Sequence, residues 1–209
     1  MADLAANWAF TEEFSAPADA AQRARARADE FGLPTPSAGT CALLTVLAAA
    51  CRAKSAVEIG TSAGVGALAL LAGMPPTAII TSIDAEAEFQ RAAREAFAEA
   101  GIPPGRTRLI NSRPAEVLPR LADAAYDIVL LGGARADYMD RLAEALRLLR
   151  PGGILAVDGA LASGNVPDPA RRDPVTVTVR ELDRTMRDTE GYAVALVPAG
   201  DGLLVAVKR

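Results

Sequence analysis

The stretch Glu58-Ile-Gly60-Thr61-Ser62-Ala-Gly64, with Gly66 two residues further on, is where residue types and spacing first suggest chemistry. It is an acid followed by a turn whose glycines permit positive φ and close backbone approach. Such turns cradle phosphates, dinucleotides or other adenosine-containing ligands. This one lacks the Gly-Lys-Ser/Thr ending of a phosphate-binding loop, and its G-x-x-x-G-x-G spacing departs from the dinucleotide fingerprint. Glu58, just before the first glycine, would repel a phosphate and suits a cationic or polar ligand. A ligand carrying a sulfonium and an amino acid fits better than a dinucleotide. Asp84 ends the next apolar run, about twenty residues beyond the turn, where an acid is expected to bind ribose hydroxyls. The same carboxylate could also cap a helix beginning near Ala85.

An absence narrows the chemistry further. The 209 residues include no histidine, which excludes imidazole general bases, Ser-His-Asp hydrolysis and histidine-built zinc sites. Proton transfer must fall to a carboxylate, Tyr, Lys, Cys or water. The two cysteines, Cys41 and Cys51, are spaced for no zinc pattern and read as small core residues in a reducing compartment. Net charge is −4, which disfavours a nucleic-acid partner. The arginines of 20–31 are diluted by Asp29 and Glu30 and read as a solvated helix face. The N-terminus shows no secretory pattern, and no apolar stretch approaches the ~20 residues a bilayer requires. A cytoplasmic protein without a membrane partner is expected.

The elements that must position these residues alternate in type. Residues 1–31 read as helical, with Trp8, Phe10, Phe14 and Phe31 as apolar anchors. FGLPTPSAG breaks that pattern, and Ser37 suits the N-cap of a helix running to about Arg52. Apolar β-prone runs follow at 56–59, 78–83, 107–111, 126–131 and 153–158. Between them lie helical patterns at 64–73, 85–101, 114–122 and 136–150, the last stopped by RPGG. This alternation predicts βαβ units and a parallel sheet covered on both faces. A helix over 175–188 and two strands joined by a Gly-Asp-Gly turn then predict a C-terminal hairpin. One domain is expected over 1–209, with 1–36 an N-terminal helical extension.

Taken together, AVEIGTSAGVGALAL, TSIDAEAEFQRAAREAFAEAGI, AEVLPRLADAAYDIVLL, LRLLRPGGILAVDGAL, GNVPDP and LVPAGDGLLVAVKR resemble the S-adenosylmethionine-dependent O-methyltransferases of the catechol and caffeoyl-CoA type. The likeness runs from about residue 32 to the end, in order. It implies the α/β Rossmann-like class I methyltransferase fold: a seven-stranded, mostly parallel sheet with a C-terminal antiparallel hairpin and helices on both faces. It also implies S-adenosylmethionine as methyl donor. Glu58, Gly60 and Thr61 match positions holding the donor's methionine part, in a loop that includes Ser62, Gly64 and Gly66. Asp84 matches the ribose-binding acid. Arg113 and Pro114 match the wall beside the adenine, and Pro34–Thr35 the segment near the sulfonium.

The departures from that pattern concern the reacting end. The family's metal is usually held by an acid after the fourth strand and an Asp-Asn pair after the fifth. Those positions are Gly132, Asp158 and Gly159 here, and one carboxylate with two glycines is a poor cage for magnesium. No metal is expected. The usual lysine beside the acceptor hydroxyl is Arg135, which cannot act as a base but can stabilise an anionic acceptor. The donor loop's usual aromatic and hydroxyl residues are Val65 and Gly66, and Arg113 stands where an acid near the adenine is usual.

The expected activity is therefore metal-independent O-methylation of a small-molecule hydroxyl, by in-line displacement that relies on proximity and alignment. Asp158 and Arg135 are the candidates for the reacting end, with Tyr138 or Asp137 as possible assistants. The alternative is a degenerate member that binds ligand without catalysis. A nicotinamide-dependent oxidoreductase is disfavoured by Glu58 and the terminal hairpin. The resemblance also implies a homodimer, for which the apolar N-terminal helices are plausible contact material. Information on the acceptor would lie in the N-terminal segment and in ALASGNVPDPARRDP.

Overall fold

The computed structural model describes residues 3–209. Three helices precede the sheet: α1 (Leu4–Phe14), α2 (Asp19–Glu30) and α3 (Ala38–Ala50). Then β1 (Ser55–Ile59), α4 (Val65–Gly73), β2 (Ile79–Asp84), α5 (Ala87–Glu99), β3 (Thr107–Asn111), α6 (Pro114–Val117), β4 (Tyr126–Leu131), α7 (Tyr138–Leu148) and β5 (Leu149–Asp158) alternate. The chain closes with α8 (Pro174–Asp188), β6 (Tyr192–Val197) and β7 (Leu203–Lys208).

The seven strands run in the order β3-β2-β1-β4-β5-β7-β6. β7 lies antiparallel to both β5 and β6, whereas the other pairings are parallel. Alternate residues of each central strand feed two separate cores. Ala56, Ile80, Ile128 and Ile154 pack under the side that carries α3, α4 and α5. Val57, Ile83, Val129 and Leu155 pack under α7 and α8. Burial on both faces explains why these strands read as continuous apolar runs instead of alternating ones. The strand order reverses between β1 and β4, so the crevice at the carboxyl ends of β1, β2, β4 and β5 is the natural ligand position.

Several boundaries differ from those the sequence suggests. The N-terminal region is two helices, because Pro17 interrupts the pattern between them. Trp8, Phe10 and Phe14 are not anchors within the chain; they are 47, 67 and 82 % exposed. What fastens α1 is a carboxylate. Glu12 accepts hydrogen bonds from Gly39 N–H (2.8 Å), Ser37 Oγ (2.8 Å) and Gly200 N–H (3.1 Å), tying α1 to the start of α3 and to the β6–β7 turn. Ser37 caps α3 as expected, receiving Thr40 N–H at 3.1 Å.

The helix expected over 114–122 stops at Val117 and tightens into a 3₁₀ turn, where Pro119 has no N–H to continue it. Residues 135–137 likewise form a 3₁₀ turn before α7. RPGG does not separate α7 from β5. Tyr126 pairs with Leu149 and Ile128 with Ile154, so residues 150–153 bulge out of a strand already under way. Cys41 and Cys51 are free and half-buried instead of being core residues, and burial pushes the Cys41 thiol up to about 11.

Candidate functional site

Glu58 is the penultimate residue of β1 and faces α4, on the opposite side from Val57 and Ile59. It is 2 % exposed. Its register partner on β2 is Ser82, whose hydroxyl donates to the carboxylate. Ser82 Oγ lies 2.7 Å from Thr61 Oγ, and Gln90 of α5 donates to Thr61 Oγ at 2.9 Å. Thr61 thus turns its side chain into a buried polar chain, not toward a ligand. Burial is the main influence on Glu58 and raises its carboxyl to about 8, against the opposing bonds from Ser82 and the Ala67 N–H.

The glycines of the turn divide their tasks. At Gly60 (φ +91°) a Cβ would fall 2.7 Å from the Gly132 carbonyl oxygen, so the β1 and β4 turns meet backbone to backbone. At Gly66 a Cβ would lie 2.6 Å from Glu58 Oε1, which explains a bare position where a hydroxyl residue is usual. Gly64 (φ +84°) serves packing: its Cβ would press on Phe97 and Ala93 of α5, and it does not line the cleft. Ser62 adopts φ +50° and donates its N–H to Asp84 Oδ2 at 3.2 Å. Its hydroxyl is buried without any hydrogen-bond partner, an orphan group of the kind ligand sites leave open. Asp84 Oδ1 also accepts the Glu86 N–H at 3.0 Å, but α5 starts two residues later than expected with Glu86 at its N-cap, so the carboxylate fixes the turn ahead of the helix and does not cap it.

These residues line one cleft with two compartments. The wider one, about 660 Å³, is bordered by Leu33, Ser62, Asp84, Phe89, Pro114 and Arg135. The narrow one, about 20 Å³, is walled by Thr35, Glu58, Thr61, Gly66, Gly132 and Asp158. Pro34, Gly60, Ser62 and Gly133 belong to both. Arg25 of α2 steadies the proline-rich wall by donating to Thr35 Oγ at 2.7 Å.

The reacting end contains groups that sequence reasoning missed. Asp201, in the β6–β7 turn, pairs with Arg135 Nη2 at 2.7 Å and accepts the Ser163 N–H at 2.7 Å. The Gly-Asp-Gly turn signalled only a hairpin, and nothing local indicates that its acid meets Arg135. Asp158 has its carboxyl raised to about 6, chiefly by burial and against the Arg135 charge. Tyr138 is not available as a base. Its ring is buried, its hydroxyl donates to the Asp158 carbonyl at 2.9 Å, and burial first and Asp158 second push it well above the usual tyrosine value. Asp137 is occupied by Arg141 at 2.5 Å.

A glycine turn at the switch point of a seven-stranded sheet that ends in an antiparallel strand defines a Rossmann-like methyltransferase fold. Comparison with known proteins specifies the family. Residues 28–209 match the family model described as O-methyltransferase. A Mycobacteroides abscessus protein bearing the O-methyltransferase name is 47 % identical over 190 residues, covering 91 % of this chain and 88 % of that one. A Mycobacterium avium protein of the same description is 48 % identical over 189 residues, covering 90 % and 84 %. Among solved structures, a Corynebacterium glutamicum protein superposes with a TM-score of 0.87 at 39 % identity, over 95 % of this chain and 94 % of the other. The O-methyltransferase TomG of Streptomyces achromogenes, solved in complex with S-adenosylmethionine, superposes at 0.85 with 26 % identity over 100 % and 99 %. The chain belongs to the S-adenosylmethionine-dependent O-methyltransferase family.

Proposed function

We propose that this protein transfers a methyl group from S-adenosylmethionine to the hydroxyl oxygen of a small molecule, without a divalent metal. The carrying observation is the cleft with an acid at each end: Glu58 buried at the narrow end and Asp84 half-exposed at the wide one. That spacing of charges suits a ligand with an ammonium at one end and ribose hydroxyls at the other. The orphan Ser62 hydroxyl between them supports the fit. In this reading Glu58 and the Gly60–Thr61 backbone hold the amino-acid part, Asp84 the ribose, and Pro114 borders the adenine.

Bound there, the donor supplies an electrophilic methyl carbon on a positively charged sulfur. The protein's part is alignment. The Gly60–Gly132 contact fixes the floor and Pro34–Pro36 closes one side, which holds the acceptor oxygen in line with the methyl carbon. As the oxygen–carbon bond forms, the carbon–sulfur bond breaks and its electron pair stays on sulfur. The hydroxyl proton leaves to Asp158 or to water. Asp158 and Arg135 are assigned to this end.

We further propose that the protein is cytoplasmic and acts as a homodimer through the exposed aromatic side of α1, and that nucleic acid is not a partner. No helix among the described residues is long and apolar enough to cross a membrane. Titration calorimetry with S-adenosylmethionine, with and without chelator, tests the central reading. One donor per chain, insensitive to chelator, is the expected result; no binding under either condition overturns it, and binding without turnover on any hydroxyl acceptor would leave a ligand-holding protein.

A further inference from the structure

The positions that would hold a metal do not fit one here. Gly132 and Gly159 offer no side-chain oxygen, and among the described residues no group of three or more His, Cys, Asp or Glu could hold an ion. The space beside Asp158 is instead filled by Arg135. A Cβ built on Gly159 would fall 2.6 Å from Arg135 Cζ, so the guanidinium lies directly over that residue, where a longer side chain would begin. Gly159 sits at φ +74°, which also favours glycine.

The seat is well made. The Arg135 side chain is only 17 % exposed, and Nη2 is locked to Asp201 at 2.7 Å. The same Asp201 oxygen accepts the Ser163 N–H, which anchors the turn that follows Gly159. Nη1 makes only a 3.5 Å contact with Ser163 Oγ, so this edge of the guanidinium is the loosely held one. Arg135 and Ser163 both line the 660 Å³ compartment.

Resting on the metal-free reading above and naming the group that replaces the ion, we propose that Arg135 is the built-in cation of this site. It neutralises Asp158 and Asp201 in place of a divalent ion, and presents its free N–H edge to the acceptor oxygen. Gly159 provides the room and Asp201 holds the orientation. A guanidinium keeps its charge at all working pH values and offers planar, directional donors, which suits an acceptor oxygen arriving as an anion. Unlike a metal ion, it cannot be removed by chelation.

Manganese titration followed by electron paramagnetic resonance tests this, with S-adenosylhomocysteine binding measured in parallel by calorimetry. Wild-type protein should show no stoichiometric manganese site, and its affinity for S-adenosylhomocysteine should be the same with or without chelator. Arg135→Met leaves Asp158 and Asp201 unneutralised, and should gain manganese affinity by roughly tenfold or more, because ion affinity follows ligand charge. Adding Asp201→Asn to that variant should abolish the gain. If Arg135→Met does not fold, Gly159→Ala pushes the guanidinium aside without adding an oxygen ligand and should show the same gain. A stoichiometric manganese site in the wild type that Asp158→Asn removes would overturn the proposal, as would no gain in a folded variant. Failure of S-adenosylhomocysteine to bind the wild type would overturn the donor reading instead, while the manganese comparison still decides the role of Arg135.

Discussion

Glu58 and Ser82 are register partners on neighbouring parallel strands, and the serine hydroxyl donates to the glutamate carboxyl in a space closed to water. The pair joins the floor of the cleft to the centre of the sheet. Burial keeps the Glu58 carboxyl largely protonated near pH 7, against the opposing pull of the Ser82 hydroxyl.

A pH dependence follows from that burial. The folded-state value of Glu58, about 8, lies above the ordinary 4.5, so the folded protein holds the proton more tightly than the unfolded chain. Stability from this group is full at low pH and is lost as pH rises toward 8. Asp158 contributes a similar loss, complete by about pH 6. Thermal unfolding between pH 6 and 8 should therefore show a decline that Glu58→Gln removes. The same variant should bind S-adenosylmethionine more weakly. A wild-type slope that survives the substitution would count against the assignment.

Gly66→Ala places a methyl group against Glu58 Oε1 and Leu130 Cδ2, 2.6 and 2.7 Å from the ideal Cβ position. Overpacking of this kind costs about 1–3 kcal/mol. A lowered unfolding temperature is expected, together with weaker donor binding because the methyl pushes on the acid itself. Gly105→Ala, whose Cβ would meet nothing within 4 Å, is the control and should leave both quantities unchanged.

Removal of the Glu12 carboxylate should release α1. Glu12→Ala leaves the Gly39 and Gly200 N–H groups and the Ser37 hydroxyl without their acceptor. A loss of about 1–3 kcal/mol is expected for such unsatisfied groups. Limited proteolysis should cut the N-terminal segment first, and hydrogen exchange should quicken at 37–40 and 199–202 together. Protection unchanged at either segment would show that the carboxylate does not join them.

Phe10 and Phe14 are exposed enough that replacing them with serine should not destabilise the single chain. If the α1 aromatics form the contact between two copies, the double variant Phe10→Ser/Phe14→Ser should run as a monomer in light scattering where the wild type runs as a dimer. A dimer that persists in the variant places the contact elsewhere.

Much of this architecture was readable from the chain because it depends on neighbours in sequence. The continuous apolar runs at 56–59 and 126–131 are central strands, and Glu58 and Asp84 sit where a glycine turn and the following strand end must place them. The hidden part is the set of long-range polar partners. Ser82 and Gln90 look like an ordinary strand residue and an ordinary helix residue until the sheet register and the packing of α5 bring them onto Thr61. Asp201 and Glu12 lie in opposite ends of the chain, and only the β6–β7 turn brings both beside the site. The exposed aromatics of α1 misled for a related reason: apolar side chains signal burial but do not say against what.

The backbone contact between Gly60 and Gly132 makes the two sides of the cleft mechanically unlike. Two turns pressed together through their main chains leave no space for a side chain between them, so the floor of the cleft is made of backbone. The opposite wall, Leu33–Pro36, is a connector held by the Arg25–Thr35 bond and by Leu33 N–H donating to the Ala28 carbonyl at 2.9 Å. That wall is held by side-chain and loop bonds alone, whereas the floor is backbone of two turns that continue sheet strands.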